Sequence, residues 1–175
     1  MTDAPIEIAD SDPTWAEAFQ FERQVLCESL GRWLVGMPEH IGSTAVPGLA
    51  AKPIIDIMAP VRSLEDSRLA IPAAATIRYV YFPYQAEVMH WFCKPSPSAR
   101  THHLHLVPLG TALWKERLAF RDALRADQSL QTEYSMLKLA LAARYRHDRE
   151  AYTEAKSPFI RRVLERAAQG GAPAA

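Results

Sequence analysis

The chain has 175 residues, 49% of them hydrophobic and 23% charged, a globular mix long enough for one domain with an appendage. Net charge is zero, which argues against a nucleic-acid groove, and no uninterrupted apolar run is long enough to span a bilayer. Cys27 and Cys93 make no disulfide framework, and Met1–Pro5 lacks a basic start and an apolar h-region, so a cytoplasmic protein without a signal peptide is expected.

Ile6-Glu7-Ile8 alternates and predicts a short edge strand. Asp12 then Pro13 is a cap followed by a first-turn proline. Trp15, Phe19, Glu22, Leu26, Leu30 and Trp33 follow at spacings of three and four, an amphipathic helix ended near Gly36. A strand over Pro38–Ile41 runs into Gly42-Ser43. The turn pair Pro47-Gly48 then leads to a second strand over Ile54–Val61. Ser63 caps a helix through Ala70–Ile77, which Pro72 either splits or restarts. Arg78–Phe82, His90–Lys94 and His102–Val107 read as three more strands, each closed by prolines or glycine. Strand signals over 38–107 with one helix between imply an α/β or α+β fold with a mixed sheet rather than a doubly wound one.

From Thr111 the period changes. Leu113, Trp114, Leu118 and Leu124 mark a helix over 112–126. Ser129 caps another, with Leu130, Tyr134, Leu137, Leu141 and Tyr145 on one face. Asp148 caps a third, carrying Tyr152, Phe159, Val163 and Leu164, which Pro158 should kink near Ala155. The expected organisation is an α/β core over 1–110, a helical cover over 111–168 packed on it, and a disordered tail over 169–175. Residues 1–110 carry 8 basic and 12 acidic side chains, a net of −4; residues 111–175 carry 12 and 8, a net of +4. That asymmetry reads either as two halves docked by opposite potentials or as a basic wall over an acidic site suited to a triphosphate.

Three groups of residues can carry chemistry. Gly42 tolerates backbone angles closed to other residues, so its amide can approach a phosphate; Ser43 adds a hydroxyl and Lys52 a point charge. Asp56 is a carboxylate in the apolar run Pro53–Met58, where a charge needs a partner or a job. Period two places Asp56 and Met58 on one face. It also places His103 and His105 together and His102 opposite, so His103 and His105 can join Asp56 to bind a divalent metal or a phosphate, with imidazole favouring Zn²⁺, Mn²⁺ or Fe²⁺ over Mg²⁺. The alternative is that these are surface or hydrogen-bonded core histidines. His40 is expected to orient the loop by a hydrogen bond. Third, Tyr134/Lys138, Tyr152/Lys156 and Arg121/Arg125 are i,i+4 pairs. A basic residue beside a ring is what nucleotide binding needs; the competing reading is a salt-bridged surface with tyrosines packed at the helix seam.

The stretch His40-Ile41-Gly42-Ser43-Thr44-Ala45-Val46-Pro47-Gly48-Leu49-Ala50-Ala51-Lys52-Pro53-Ile54-Ile55-Asp56-Ile57 resembles the GrpB family. So do Asp12-Pro13-Thr14-Trp15, His102–Leu106, Phe120-Arg121-Asp122, Leu124-Arg125, Tyr134, Leu137-Lys138 and Asp148–Lys156. The resemblance implies a nucleotidyltransferase-like fold, with flanking helices and a C-terminal helical cover. It also implies a divalent cation (Mg, Mn or Zn), with Asp56 and Lys52 as the catalytic candidates. Gly42, Ser43, Lys52, Arg121, Tyr134, Lys138, Tyr152 and Lys156 would hold phosphate or nucleotide; Asp56, His103 and His105 would hold metal. Superfamily members that transfer nucleotides place a second carboxylate where this chain has Met58, and a thioether offers a hard cation nothing. The expectation is therefore a protein that binds a nucleotide or phosphorylated small molecule with a metal and transfers weakly if at all. The alternatives are a non-catalytic nucleotide-binding module, or a metal-dependent hydrolase or phosphatase using Asp56, His103 and His105.

Overall fold

A computed structural model describes residues 5–170; the expected disordered tail lies outside the described residues from 171 onward. The described residues form one five-stranded sheet in the order β1-β2-β5-β4-β3. The strands are β1 (Glu39–Ile41), β2 (Ile55–Val61), β3 (Val80–Phe82), β4 (His90–Pro95) and β5 (Arg100–Pro108). β2 and β5 run parallel and the other neighbours antiparallel, so the sheet is mixed, as the interleaving of strand and helix signals implies. The register sets Asp56 opposite His103 and Met58 opposite His105.

Among the described residues six α-helices flank it: α1 (Thr14–Leu30), α2 (Ala70–Thr76), α3 (Ala112–Ala126), α4 (Gln128–Arg144), α5 (Arg149–Glu154) and α6 (Ser157–Gly170). On one sheet face Ile55, Ile57, Leu104, Leu106 and Phe92 bury against Trp15, Phe19, Leu26 and Leu30 of α1 and Ala70 and Ala74 of α2. Each fully buried side chain of that size contributes about 1.5–3 kcal/mol. On the other face Ile41, Met58, Met89 and Val107 pack on Trp114 of α3. A third cluster joins Leu124 of α3, Tyr134 of α4 and Phe159 and Val163 of α6 to Val46 and Leu49 in the loop after β1. The helical half is thereby fastened to the loop that carries the Gly-Ser turn.

Several local expectations are corrected. Ile6–Ile8 is not a strand: the Ile6 amide donates to the Arg146 carbonyl at 2.8 Å, and pairing begins only at Ala9, bridged to Ala51. α1 stops at Leu30 and continues as a 3₁₀ turn over Gly31–Trp33, because Leu34 leaves the helix to bridge Val61. Ser63 caps only a turn, accepting from the Asp66 amide at 3.0 Å. α2 starts later, at Ala70, which puts Pro72 in a first turn that needs no amide from it. Asp127, not Ser129, caps α4, accepting from the Ser129 and Leu130 amides at 2.8 and 3.1 Å. Pro158 does not kink a helix: the chain breaks after Glu154 and restarts at Ser157, with the proline in the first turn of α6. Gln169 and Gly170, assigned to the tail from sequence, are the last residues of α6.

Candidate functional site

Asp56 points from β2 to the face away from α1. Its Oδ1 lies 2.9 Å from His103 Nδ1 and 3.9 Å from His105 Nε2. Burial alone would raise the Asp56 carboxyl. The hydrogen bond and charge of His103, seconded by His105, outweigh it and hold the carboxyl below the usual range. An ionised carboxylate only accepts, so His103 donates from Nδ1. His105 is buried, and burial pushes it down to about 4, so it is neutral; its Nδ1 lies 3.4 Å from the Met89 sulfur.

Gly42 has φ +71° and ψ −171°, a conformation essentially reserved for glycine. A Cβ there would meet Asp56 Oδ2 at 2.5 Å. The glycine therefore clears space for the carboxylate, a reason local sequence cannot reveal, because Asp56 arrives fourteen residues later. His40 holds the loop: its Nε2–H donates to the Thr44 hydroxyl at 3.0 Å, which donates to the Ile54 carbonyl at 3.2 Å. Its ring stacks on Phe19 at 4.6 Å, and burial pushes its pKa down to about 4.

Ser43, Thr44, Lys52, Asp56 and His103 form one wall of a cavity of about 180 Å³; Lys138 of α4, Tyr152 and Thr153 of α5 and Lys156 form the other. Lys156 stands in the turn between α5 and α6, its ammonium 4.3 Å above the Tyr152 ring, with Lys52 on the same ring at 5.9 Å. Lys138 is 2% exposed; its ammonium donates to the Ala50 carbonyl and lies 4.8 Å from the Tyr134 ring. Burial first, then the charge of Lys156, pushes Lys138 down to about 7. Burial also leads for Lys156, which sits at about 8; Asp56 raises it, and Lys52 and Arg117 lower it. Burial raises the Tyr152 phenol to about 12, so the ring is an uncharged floor.

The other candidates lie apart. Tyr134 is core: its ring stacks on Phe159 at 4.9 Å and meets Phe120 edge-on. Arg121 does not line the cavity. It pairs with Glu39 at 2.7 Å and Asp122 at 2.8 Å and donates to the His40 carbonyl. Arg125 chelates the Ala45 carbonyl at 3.0 and 2.8 Å, so this basic pair ties α3 to the loop. Thr44, Thr153 and the field of Arg117 were not singled out from sequence. Thr153 was recoverable, since it follows Tyr152 on a helix turn already carrying a candidate pair.

His103 bonds the carboxylate through Nδ1, and the buried Nε2 atoms of His103 and His105 have no hydrogen-bond partner. The described residues contain no group of three His, Cys, Asp or Glu side chains placed to hold an ion. Met58, where the resemblance leads one to expect a second carboxylate, is fully buried among Ile41, Met89, Val107 and Trp114.

The GrpB protein family model matches residues 5–166. The chain belongs to the GrpB family. A UPF0157 protein of Pseudomonas aeruginosa is 39% identical over 170 residues, 94% of this chain and 69% of its own length. A crystal structure of the conserved protein GrpB from Enterococcus faecalis matches with a TM-score of 0.84 at 32% identity, over 94% of this chain and 98% of that one. A dephospho-CoA kinase of Mycolicibacterium paratuberculosis is 27% identical over 94% of this chain and 46% of its own length. Among the described residues no helix is long and apolar enough to cross a membrane.

Proposed function

We propose that this GrpB-family protein binds a phosphorylated small molecule, a nucleotide among the candidates, through its phosphate in the lysine-lined cavity. One observation carries the reading. Lys52, Lys138 and Lys156 converge on a space whose single lining carboxylate is already engaged by His103. Like charges gathered in a half-buried space raise its free energy until an anion arrives. A phosphate dianion supplies that charge, and the Ser43 hydroxyl can donate to its oxygens. At about 180 Å³ the cavity is below the usual 300–1,000 Å³ of drug-sized ligand sites, so a nucleotide's base and sugar would lie outside it.

Binding without nucleotidyl transfer is the favoured form. A two-cation transfer needs converging carboxylates, and Met58 supplies none. The hydrolase alternative would need Asp56, His103 and His105 to share an ion, and among the described residues no group of three His, Cys, Asp or Glu side chains is placed to do so. The resemblance of half a dephospho-CoA kinase to this chain is consistent with a phosphorylated ligand.

The test is calorimetry with inorganic phosphate, pyrophosphate, ADP and ATP at pH 8 in two buffers of different ionisation enthalpy. An anion that raises Lys138 and Lys156 from about 7 and about 8 takes up protons on binding, so the heats must differ between buffers. Lys138→Met must weaken binding at least tenfold. Absence of binding by all four ligands at millimolar concentration sinks the proposal.

A further inference from the structure

One carboxylate oxygen of Asp56 is in use and the other is open. Oδ1 accepts from His103 Nδ1 at 2.9 Å, whereas Oδ2 accepts no hydrogen bond among the described residues. The side chain is 30% exposed and lines the lysine cavity, so a ligand there reaches it. Gly42 keeps the approach clear: a Cβ at that residue would stand 2.5 Å from Oδ2. Oδ2 therefore lies at the Gly-Ser turn, whose Ser43 forms part of the same cavity wall. An anionic oxygen is an awkward neighbour for a phosphate, because two negative charges at close range repel unless a donor stands between them.

We propose that the ligand of this cavity is a phosphorylated polyol, one hydroxyl of which donates to Asp56 Oδ2 while its phosphate is held by Lys52, Lys138 and Lys156. The proposal rests on the phosphate reading and adds what the phosphate is attached to. An ionised carboxylate only accepts, so its complement is a donor. That donor must be carried by the same molecule that brings the anion. A hydroxyl meets the need, whereas an ammonium on the ligand would add a fourth positive charge to three lysines. A bare phosphate satisfies the lysines and leaves Oδ2 facing like charge. The cavity as built therefore selects against the simplest anion that its lysines attract.

The neighbours of Asp56 leave that role to the ligand. His105 Nε2 stands 3.9 Å from Oδ1, outside hydrogen-bond distance, and Met58 on the same strand face is fully buried and offers no donor. Ile54 and the Tyr152 ring lie on the cavity lining and give the carbons of a short chain apolar surface, which inorganic phosphate cannot use. The cavity volume equals about six waters, enough for a phosphate with a short hydroxylated chain. Hydrogen bonds to a charged acceptor are roughly twice as strong as neutral ones, and a site built around a ligand hydroxyl rejects the analogue that lacks it. Because Asp56 is partly wet, water can replace the missing hydroxyl, so the rejection is set at tenfold rather than the far larger factors of fully dry sites.

The experiment is calorimetry on the full chain in chelator-containing buffer with inorganic phosphate, n-propyl phosphate and glycerol 3-phosphate. We expect glycerol 3-phosphate to bind at least tenfold more tightly than propyl phosphate, which has the same chain without hydroxyls. In Asp56→Asn the amide oxygen can keep the His103 hydrogen bond and its NH₂ replaces Oδ2. The glycerol advantage should then fall to threefold or less, while inorganic phosphate binds more tightly because the like charge has gone. Equal affinity for the two esters in the wild type overturns the proposal, and that comparison needs no variant to fold. An advantage undiminished in Asp56→Asn overturns the role of Oδ2. Phosphate binding that appears only when Mg²⁺ or Mn²⁺ replaces the chelator gives Oδ2 to a cation and overturns it as well. The two readings fail separately: phosphate and propyl phosphate binding with no gain from hydroxyls rejects only the polyol, whereas no binding of any of the three at millimolar concentration rejects the phosphate site itself.

Discussion

Gly42→Ala tests how the Gly-Ser turn and Asp56 depend on each other. At φ +71° and ψ −171° any side chain is strained, by about 1–3 kcal/mol. The added Cβ would also stand 2.5 Å from Asp56 Oδ2, well inside contact distance. Overpacking of this kind costs a further 1–3 kcal/mol or so. The carboxylate cannot swing away freely, because its Oδ1 is bonded to His103. A loss of about 3 kcal/mol is therefore expected, which in a chain of this size lowers Tm by roughly 6–12 °C. Gly31→Ala is the control: Gly31 has φ −50° and nothing within 4 Å of its notional Cβ, so the same substitution should be neutral or add about 0.4–1 kcal/mol. Urea unfolding gives both free energies, and the His103 ring resonances should shift in Gly42→Ala alone. If Gly42→Ala lost less than about 1 kcal/mol, or left His103 unmoved, the packing argument for this glycine would be wrong.

Other perturbations probe other parts of the molecule. Lys94→Met strands Glu22, which is 2% exposed and accepts from that ammonium at 2.8 and 2.9 Å; a loss of about 3–5 kcal/mol in urea unfolding is expected, largely recovered in Glu22→Leu/Lys94→Met. Burial holds His40 at about 4 against about 6.5 in the unfolded chain, so the unfolded state binds the proton first as pH falls through that window. Stability should drop by about 2–3 kcal/mol between pH 7 and 4.5 on this account, and His40→Gln should flatten that part of the curve; an equal slope in the variant refutes it. Met58→Asp places a carboxylate among Ile41, Met89, Val107 and Trp114 and should cost several kcal/mol with no gain in pyrophosphate release from ATP; rapid release in wild type, lost in Asp56→Asn, would show that transfer was wrongly discounted.

Much of the fold is legible in the residues. Period two sorts Asp56, His103 and His105 to one sheet face, and the change of period at Thr111 marks α3 to within a residue. Periodicity names a helix face but not what covers it. Arg121/Arg125 and Tyr152/Lys156 look alike as i,i+4 pairs, yet one pair meets backbone carbonyls and Glu39 while the other meets a cavity. Lys138 follows Gln131 and Tyr134 on the buried stripe of α4, a place where sequence alone expects an apolar residue. Boundaries failed where a distant contact won over a local signal, as at Leu34, which the Val61 bridge draws out of the helix that the Trp33 spacing suggests.

The lysine cavity is poorly explained as a device for stability. Burying Lys138 with one carbonyl partner and placing Lys156 beside it works against folding, since both ammonium groups give up water and meet like charge. An apolar residue of similar volume at 138 would pack between Tyr134 and Ala142 and remove that penalty, as replacing buried ions often does. Lys138 is held on a helix, α4, while Lys156 stands in the turn between α5 and α6 and Lys52 in the loop before β2. On the proposed reading, an anion entering the cavity would relieve that frustration. Lys138→Met should therefore raise the unfolding free energy in the absence of ligand while weakening phosphate binding at least tenfold. A variant less stable than the wild type in ligand-free buffer would return Lys138 to a structural role and remove the main reason for regarding the cavity as a binding site.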